Sequence, residues 1–143
     1  MTATISPLRA VLHAVSLLES CVDSRFATIG LSLPKLAALR ALVAAGNALP
    51  LGHLADRLAC VKSNVTQLVD RLEADGFVSR ESDPTDRRSC LAAVTEAGRR
   101  AYEQGVRIQK DTEADLFGAL TAEESAQLSQ LLGKLHRTDS RCG

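Results

Sequence analysis

Residues 54–72 read LADRLACVKSNVTQLVDRL, and the predicted fold follows from this stretch. Two helices that cross at a short turn need apolar inner faces and a small side chain where they meet. Ala55 is the small residue at the expected crossing. The positions expected to face inward carry Leu54, Leu58, Cys60, Val65 and Leu68. The stretch therefore predicts a helix-turn-helix.

The second helix of this pair, expected from Ser63 to about Ala74, has a polar outward face. Short hydrogen-bonding side chains and cations are suited to base edges and phosphates. A polar outer face is also ordinary for a solvated surface helix, so the helix alone leaves both interpretations open. The candidate DNA contacts on or beside it are Lys62, Ser63, Asn64, Thr66, Gln67 and Arg71.

A hairpin is expected directly after this helix. Phe77–Arg80 and Cys90–Val94 are short enough to be strands, and a polar, turn-rich segment, SDPTDRR, separates them. A hairpin in this position is the wing of a winged helix-turn-helix. Arg87 and Arg88 would lie at its tip, where arginine is attracted to a narrow minor groove. This order of helix, hairpin and paired arginines favours DNA binding over a solvated loop.

Capping and stop signals define the other helices. The expected segments are a helix from Ser6-Pro7 to about Gly30, a second from Ser32 to about Ala45, a short third over Leu51–Ala59, a long one from Thr95 to about Gly118, and a last one opened by the capping box Thr121–Glu124. The predicted fold is mainly α with a small β-hairpin wing, in a single domain.

Composition agrees with one globular domain. The chain has 143 residues, 45% of them apolar, and 17 basic residues balance 17 acidic ones. These values exclude a disordered chain and a broadly basic nucleic-acid coat. Between Asp56 and Cys90 six cations face seven acids, so DNA binding must depend on where the cations are placed. The cations concerned are Lys62, Arg71, Arg87 and Arg88.

Several function classes find no support in the sequence. No window approaches the ~18–20 apolar residues of a membrane span, and no export signal is visible, so we expect a cytoplasmic protein without a membrane partner. We find no phosphate-binding loop and no hydrolase or metalloprotease signature, so we expect neither an enzyme nor a cofactor. The three histidines are far apart in sequence, and no metal site is expected.

Three segments together resemble the MarR (multiple antibiotic resistance regulator) family of bacterial winged-helix regulators. They are the helix and its end, Ser63–Val78; the wing, Asp83-Pro84-x-Asp86-Arg87-Arg88; and Val94-Thr95-x-x-Gly98. The order of helices on both sides also fits, so the resemblance covers nearly the whole chain.

The resemblance implies an obligate homodimer that binds double-stranded DNA. Residues 1–30 and 96–143 would be dimerisation helices, and residues 32–94 the winged lobe. The apolar stripes of the first and last helices agree with this, because the small lobe could not cover them. The recognition helices would lie ~34 Å apart on a pseudo-palindrome. Asp86 would pair with Arg88 at the wing tip, and it is equally suited to capping the turn.

The resemblance also implies an effector pocket for small phenolic or other aromatic acids. Cations beside an apolar cleft are suited to a carboxylate, although these residues are also ordinary for partly exposed helices. The candidates are His13, Leu17, Cys21, Arg25 and Arg40.

The sequence thus predicts a DNA-binding transcriptional repressor that a small ligand releases from its operator. A thiol-based redox regulator remains open, because Cys60 would precede the recognition helix and Cys90 would follow the wing tip. Cys60 also fits a core position. A third alternative is a winged-helix protein-interaction module that does not bind DNA, because the lobe is nearly neutral.

Overall fold

The computed structural model describes residues 4–58 and 62–135, with the side chains of Lys62 and Ser63 outside that description. The elements follow in the order α1 (Pro7–Ala27), α2 (Leu33–Ala45), β1 (Leu49–Pro50), α3 (Leu51–Leu58), α4 (Lys62–Ala74), β2 (Val78–Ser82), β3 (Cys90–Val94), α5 (Glu96–Phe117) and α6 (Ala122–Leu135). The predicted fold class, mainly α with a small β wing, is confirmed.

The predicted helix caps of α2 and α6 are observed. At the start of α2 the hydroxyl of Ser32 accepts the backbone N–H of Lys35 at 3.4 Å. At α6 the Thr121 hydroxyl accepts the N–H of Glu124 at 3.2 Å, and the Glu124 carboxylate accepts the N–H of Thr121 at 3.3 Å. This reciprocal pair is the capping box that the sequence indicated.

The first helix begins at Pro7 as predicted, but its N-cap bond and its end differ from the prediction. Ser6 occupies the N-cap position, but its side chain makes no capping hydrogen bond. The helix ends at Ala27, three residues before Gly30, because the chain then turns toward α2. Gly30 lies in this turn with φ +70°, a conformation that other L-residues rarely adopt.

The sheet has one strand more than the predicted hairpin. β2 pairs antiparallel with β3 from Val78↔Val94 to Ser82↔Cys90. The two-residue β1 pairs with the other edge of β3, which gives the order β1-β3-β2. A strand of two residues has no readable period, and Pro50 is tolerated because β1 is an edge strand. The strand predicted over Phe77–Arg80 is also shifted, to Val78–Ser82.

The core of the lobe forms around the inner face of α4. Val65, Val69 and Leu72 are fully buried there, and Leu54 and Ala55 of α3 are buried too. Phe26 of α1 and Leu36, Leu39 and Leu42 of α2 are also buried in this core, together with Leu31, Leu49 and Val78. The burial of Ala55 agrees with the small residue predicted at the crossing. Leu58 and Leu68 are partly buried instead of fully buried, and Cys60 lies outside the described residues.

Thr95 and Gly98 join the hairpin to α5. The Thr95 hydroxyl donates to the carbonyl of Gly76 at 2.6 Å and accepts the N–H of Gly98 at 3.0 Å. The N–H of Thr95 donates to the carbonyl of Phe77 at 3.0 Å. A Cβ at Gly98 would lie 2.0 Å from that same carbonyl oxygen. The spacing Thr-x-x-Gly therefore follows from two constraints: the Thr95 hydroxyl caps α5 at Gly98, and that position has no room for a Cβ.

The chain divides into two compact units, one up to Gln109 and one from Lys110. In the first unit large apolar side chains are exposed at Leu8, Leu12 and Leu17 of α1 and at Ile5, which precedes the helix. In the second unit the expected leucine stripe of α6 is also largely exposed, at Leu131, Leu132 and Leu135, while Leu128 is partly buried. In the described part of the chain, no helix is both long enough and apolar enough to span a membrane.

We predict that Gly98→Ala destabilises the protein by about 2 kcal/mol or more. The new methyl group would overlap a backbone oxygen, and overpacking of this kind typically costs ~1–3 kcal/mol. Urea unfolding followed by circular dichroism measures the change.

Gly133→Ala is the matched control, because among the described residues no atom outside its own turn of helix lies within 4 Å of the Cβ it would add. Alanine is favoured over glycine inside a helix, so this variant should gain up to ~1 kcal/mol. Equal stability of the two variants would contradict the proposed clash.

Candidate nucleic-acid interface

The predicted contact residues of α4 lie on its solvent side. Asn64, Thr66, Gln67 and Arg71 are exposed, whereas Val65 and Val69 between them point into the core. Lys62 begins the helix, but its side chain and that of Ser63 lie outside the described residues. The helix thus presents amide, hydroxyl and guanidinium groups outward from a rigid apolar support.

A glycine turn ends α4 and directs the chain into the wing. Gly76 has φ +80°, and its N–H donates to the carbonyl of Glu73 at 3.0 Å. The N–H of Phe77 donates to the carbonyl of Leu72 at 2.9 Å. This pair of bonds is the Schellman arrangement that closes helices at glycine. Because β2 begins at Val78, the wing follows the helix without a linker.

Two aspartates shape the wing tip. Asp83 accepts both the N–H and the hydroxyl of Thr85, at 2.9 and 2.7 Å. Asp86 accepts the N–H of Arg88 at 3.0 Å and so caps the turn. Asp86 thus holds Arg88 through the backbone, and no ion pair joins their side chains in this described turn. The side chains of Arg87 and Arg88 are exposed.

The acids on and just after α4 are paired with cations from other elements. Arg80 of β2 forms ion pairs with Asp70 and Glu73, and its bond to Asp70 raises the pKa of the guanidinium. Lys35 of α2 binds the carboxylate of Asp75 at 2.7 Å. Sequence reasoning missed Arg80 and Lys35 as site residues, because their partners are 7 to 40 positions away.

The structure brings together part of the predicted ligand pocket. A groove of about 510 Å³ on α1 includes His13 and Leu17, and it adds Arg9, which was not among the predicted residues. Its other lining residues are Ile5, Ala10 and Ala14. Cys21 and Arg25 are partly buried, and neither lines this groove. Arg40 also lies outside it, with its guanidinium donating to the Gln109 amide oxygen at 2.7 Å.

The described cysteines are free thiols. Cys21 and Cys90 are both partly buried, and Cys90 lies opposite Ser82 at the base of the wing turn. The other redox candidate, Cys60, lies outside the described residues, as does Cys142. Within the described ranges, no three His, Cys, Asp or Glu side chains are grouped so as to hold a metal ion.

Comparison with known proteins gives the same family as the sequence motifs. The MarR family model matches residues 29–89. An uncharacterised helix-turn-helix transcriptional regulator of Bacillus subtilis, YkoM, is 38% identical over 84 residues, which are 59% of this chain and 54% of that protein. The transcriptional activatory protein BadR of Rhodopseudomonas palustris is 38% identical over 86 residues, covering 59% and 44% of the two chains.

The structural likeness extends further along the chain. A mutant of MarR from E. coli, crystallised with operator DNA, superposes with a TM-score of 0.77 over 90% of this chain and 93% of that one, at 26% identity. These comparisons support a winged-helix regulator of the MarR family type. The chain spans about half the length of the curated relatives YkoM and BadR. These relatives are named as transcriptional regulators, not as enzymes.

We predict that the carboxyl group of Asp83 titrates below its ordinary pKa of 3.8, because the Thr85 hydroxyl and then the Thr85 N–H stabilise its charged form. A lowered pKa means that the carboxylate stabilises the folded turn above pH 3.8, and that this contribution is lost as the pH falls through the lower folded value. Carbon-13 NMR of the side-chain carboxyl group measures this pKa directly.

Thr85→Val removes the hydroxyl at nearly constant shape and should move the Asp83 pKa up toward 3.8. Thr85→Ser keeps a hydroxyl and is the control that should leave the pKa low. A pKa unchanged in the valine variant would contradict the assigned cause.

Proposed function

We propose that this protein is a sequence-specific DNA-binding transcriptional regulator. In this proposal α4 enters the major groove, where Asn64, Thr66, Gln67 and Arg71 meet base edges and phosphates. Arg88, helped by Arg87, enters the adjacent minor groove. The proposal rests on one observation: the lobe exposes both the polar face of α4 and the arginines of the wing tip. The acids near these groups are paired with cations. The operator complex of the related E. coli protein supports it.

The regulator acts as a homodimer in this proposal. Residues 1–30 and 96–143 supply the dimerisation helices, and residues 32–94 form the DNA-binding lobe. The exposed apolar side chains of α1 and α6 support this arrangement, because burial in a partner would remove them from water. Two-fold symmetry then matches a pseudo-palindrome with half-sites about one DNA turn apart.

Regulation by a small aromatic or phenolic acid extends the proposal. The α1 groove combines apolar walls with Arg9 and His13, which suits a carboxylate or phenolate on an aromatic ring. Such a ligand releases the operator if it binds a dimer with wrongly spaced recognition helices more tightly than the DNA-bound form. The proposed direction is repression in the cytoplasm, although BadR is named as an activator.

Selection from random DNA tests the proposal and does not require a defined operator. The purified protein is mixed with a library of duplexes that carry about 30 random base pairs, enough for two half-sites one turn apart. Fluorescence anisotropy then compares a selected duplex with a scrambled one at several salt concentrations. The proposal expects enrichment of a pseudo-palindrome, two protomers per duplex, and affinity that falls steeply with salt. No enrichment from a folded dimer would favour the protein-interaction module.

We predict that Arg71→Ala and Arg88→Ala each weaken binding to the selected duplex about 5- to 150-fold, the range for side chains that contact bases. Anisotropy titration measures the change, and loss of a phosphate contact would also lower the salt slope by about 0.9. Arg107→Ala is the control, because Arg107 is an exposed cation on α5, away from the wing and α4 in the sequence. Similar affinities for all three variants would refute the assignment of the DNA-binding face.

The redox alternative has its own test on the same duplex. Hydrogen peroxide is added to the wild type and to Cys60→Ser and Cys90→Ser variants before titration. A ligand-controlled regulator keeps its affinity in all three proteins, whereas a redox regulator loses it in the wild type and keeps it when the sensing thiol is replaced.

A further inference from the structure

Arg80 connects the recognition helix to the wing by three bonds. Arg80 lies on β2, and its guanidinium forms two ion pairs with α4. Nη2 binds the carboxylate of Asp70, and Nη1 binds that of Glu73 at 3.4 Å. The backbone N–H of Arg80 donates to the other oxygen of Glu73 at 3.2 Å. Asp70 and Glu73 are three positions apart on α4, so a single forked side chain covers two neighbouring carboxylates on that helix.

The two carboxylates are exposed on α4, where they would repel the phosphates of bound DNA. Their side chains are 56% and 43% exposed, and Asp70 is adjacent in sequence to the exposed Arg71. Unpaired carboxylates on a helix that approaches phosphates would repel them. Arg80, whose side chain is 28% exposed, is close enough to both to offset much of that repulsion. Between Asp56 and Cys90 seven acids outnumber six cations, so the local pairing of these two acids matters more than the net charge of the stretch.

The same bonds also restrain the wing. The backbone joins α4 to β2 through Asp75, Gly76 and Phe77 alone. Arg80 adds a second attachment, three residues beyond Phe77, at the position of β2 that pairs with Ala92 of β3. The bonds of Thr95 to Gly76 and Phe77 hold the hairpin close to the end of α4, and Arg80 holds β2 further along the strand. The two attachments together restrain the direction of the strand relative to α4. The hairpin that carries Arg87 and Arg88 is therefore held against α4 at its base.

We propose that Arg80 is a positioning residue for DNA binding, which screens Asp70 and Glu73 from phosphates and holds the wing in register with the recognition helix. This inference rests on the proposed DNA-binding function. Arg80 need not contact DNA, and this distinguishes it from Arg71 and Arg88. The effect of replacing Arg80 on DNA affinity should therefore depend on whether Asp70 and Glu73 are present. The effect of replacing an arginine that contacts DNA directly would not depend on these two acids.

The test is a charge-matched variant series on the selected duplex. Arg80→Gln removes the cation and leaves both acids unpaired. Arg80→Lys keeps the charge but loses the fork. The triple variant Arg80→Gln, Asp70→Asn, Glu73→Gln removes the unpaired acids together with the ion pairs. Arg107→Gln is the control for loss of one exposed cation. Urea unfolding of each variant establishes the fraction folded under the assay conditions.

We expect Arg80→Gln to weaken binding about tenfold or more. The ratio of its dissociation constant to that of the wild type should fall as the salt concentration rises, because salt screens exposed charges. The triple variant should recover at least about threefold of this loss, and Arg80→Lys should lie between wild type and Arg80→Gln. Arg107→Gln should bind within about twofold of wild type. These magnitudes follow the size of single-residue effects at protein–DNA interfaces.

Three results would overturn the inference. One is an Arg80→Gln variant that binds as tightly as wild type. Another is a loss that is equal at every salt concentration and is not recovered by the triple variant, which would indicate a structural role alone. The third applies if Arg80→Gln does not fold: the triple variant folds, yet it binds about tenfold or more weakly than the wild type at every salt concentration. Failure of the wild type to select any duplex would instead refute the proposed function on which the inference rests.

Discussion

Three elements of the lobe and the start of α5 meet around the peptide between Gly76 and Phe77, and the geometry of the wing depends on this meeting point. α4 ends there and β2 begins, while β3 and α5 join on its other side through Thr95 and Gly98. The carbonyls of Gly76 and Phe77 each accept a bond from Thr95. Gly98, the third residue of α5, packs against the Phe77 carbonyl with no room for a Cβ, so this position of the helix requires glycine. Helix, hairpin and following helix are thereby fixed by a few short contacts.

The placement of charges, and not the net charge, determines which charged groups this lobe exposes on its candidate DNA-binding face. The acids Asp70, Glu73 and Asp75 are held by Arg80 and Lys35, which come from β2 and α2. Lys35 also donates to the carbonyl of Gly30 at 3.2 Å, so it links the turn between α1 and α2 to the end of α4. The arginines of the wing tip remain exposed beside this neutralised surface. A nearly neutral lobe is for this reason compatible with a DNA-binding face.

Local sequence signals predicted most of the architecture. The capping box at Thr121–Glu124, the glycine stop at Gly76 and the apolar spacing of α4 all act within about one helical turn, so each could be read from neighbouring residues. The hairpin followed from the turn-rich segment between two short apolar runs. The strand β1 was missed because its two residues pair with Ala92 and Leu91, more than forty positions away.

The candidate site also combines residues that local sequence identifies with residues that only the folded chain brings together. The exposed polar side chains of α4 were identifiable from residue type and helical period, and the wing arginines from their place in the predicted hairpin. The groups that support them were not, because Arg80 and Lys35 reach their acids only after the chain has folded. Likewise His13 and Leu17 share a groove, while Arg40 instead binds Gln109, 69 positions away.

Residue patterns along the chain are therefore sufficient for the helices, most of their ends and the outward face of α4, since caps and periodicity are local. The pairing of charges and the attachment of the wing to α4 emerge only in the folded lobe. The physical reason is that those contacts join residues on different elements, whose approach depends on how the whole lobe packs.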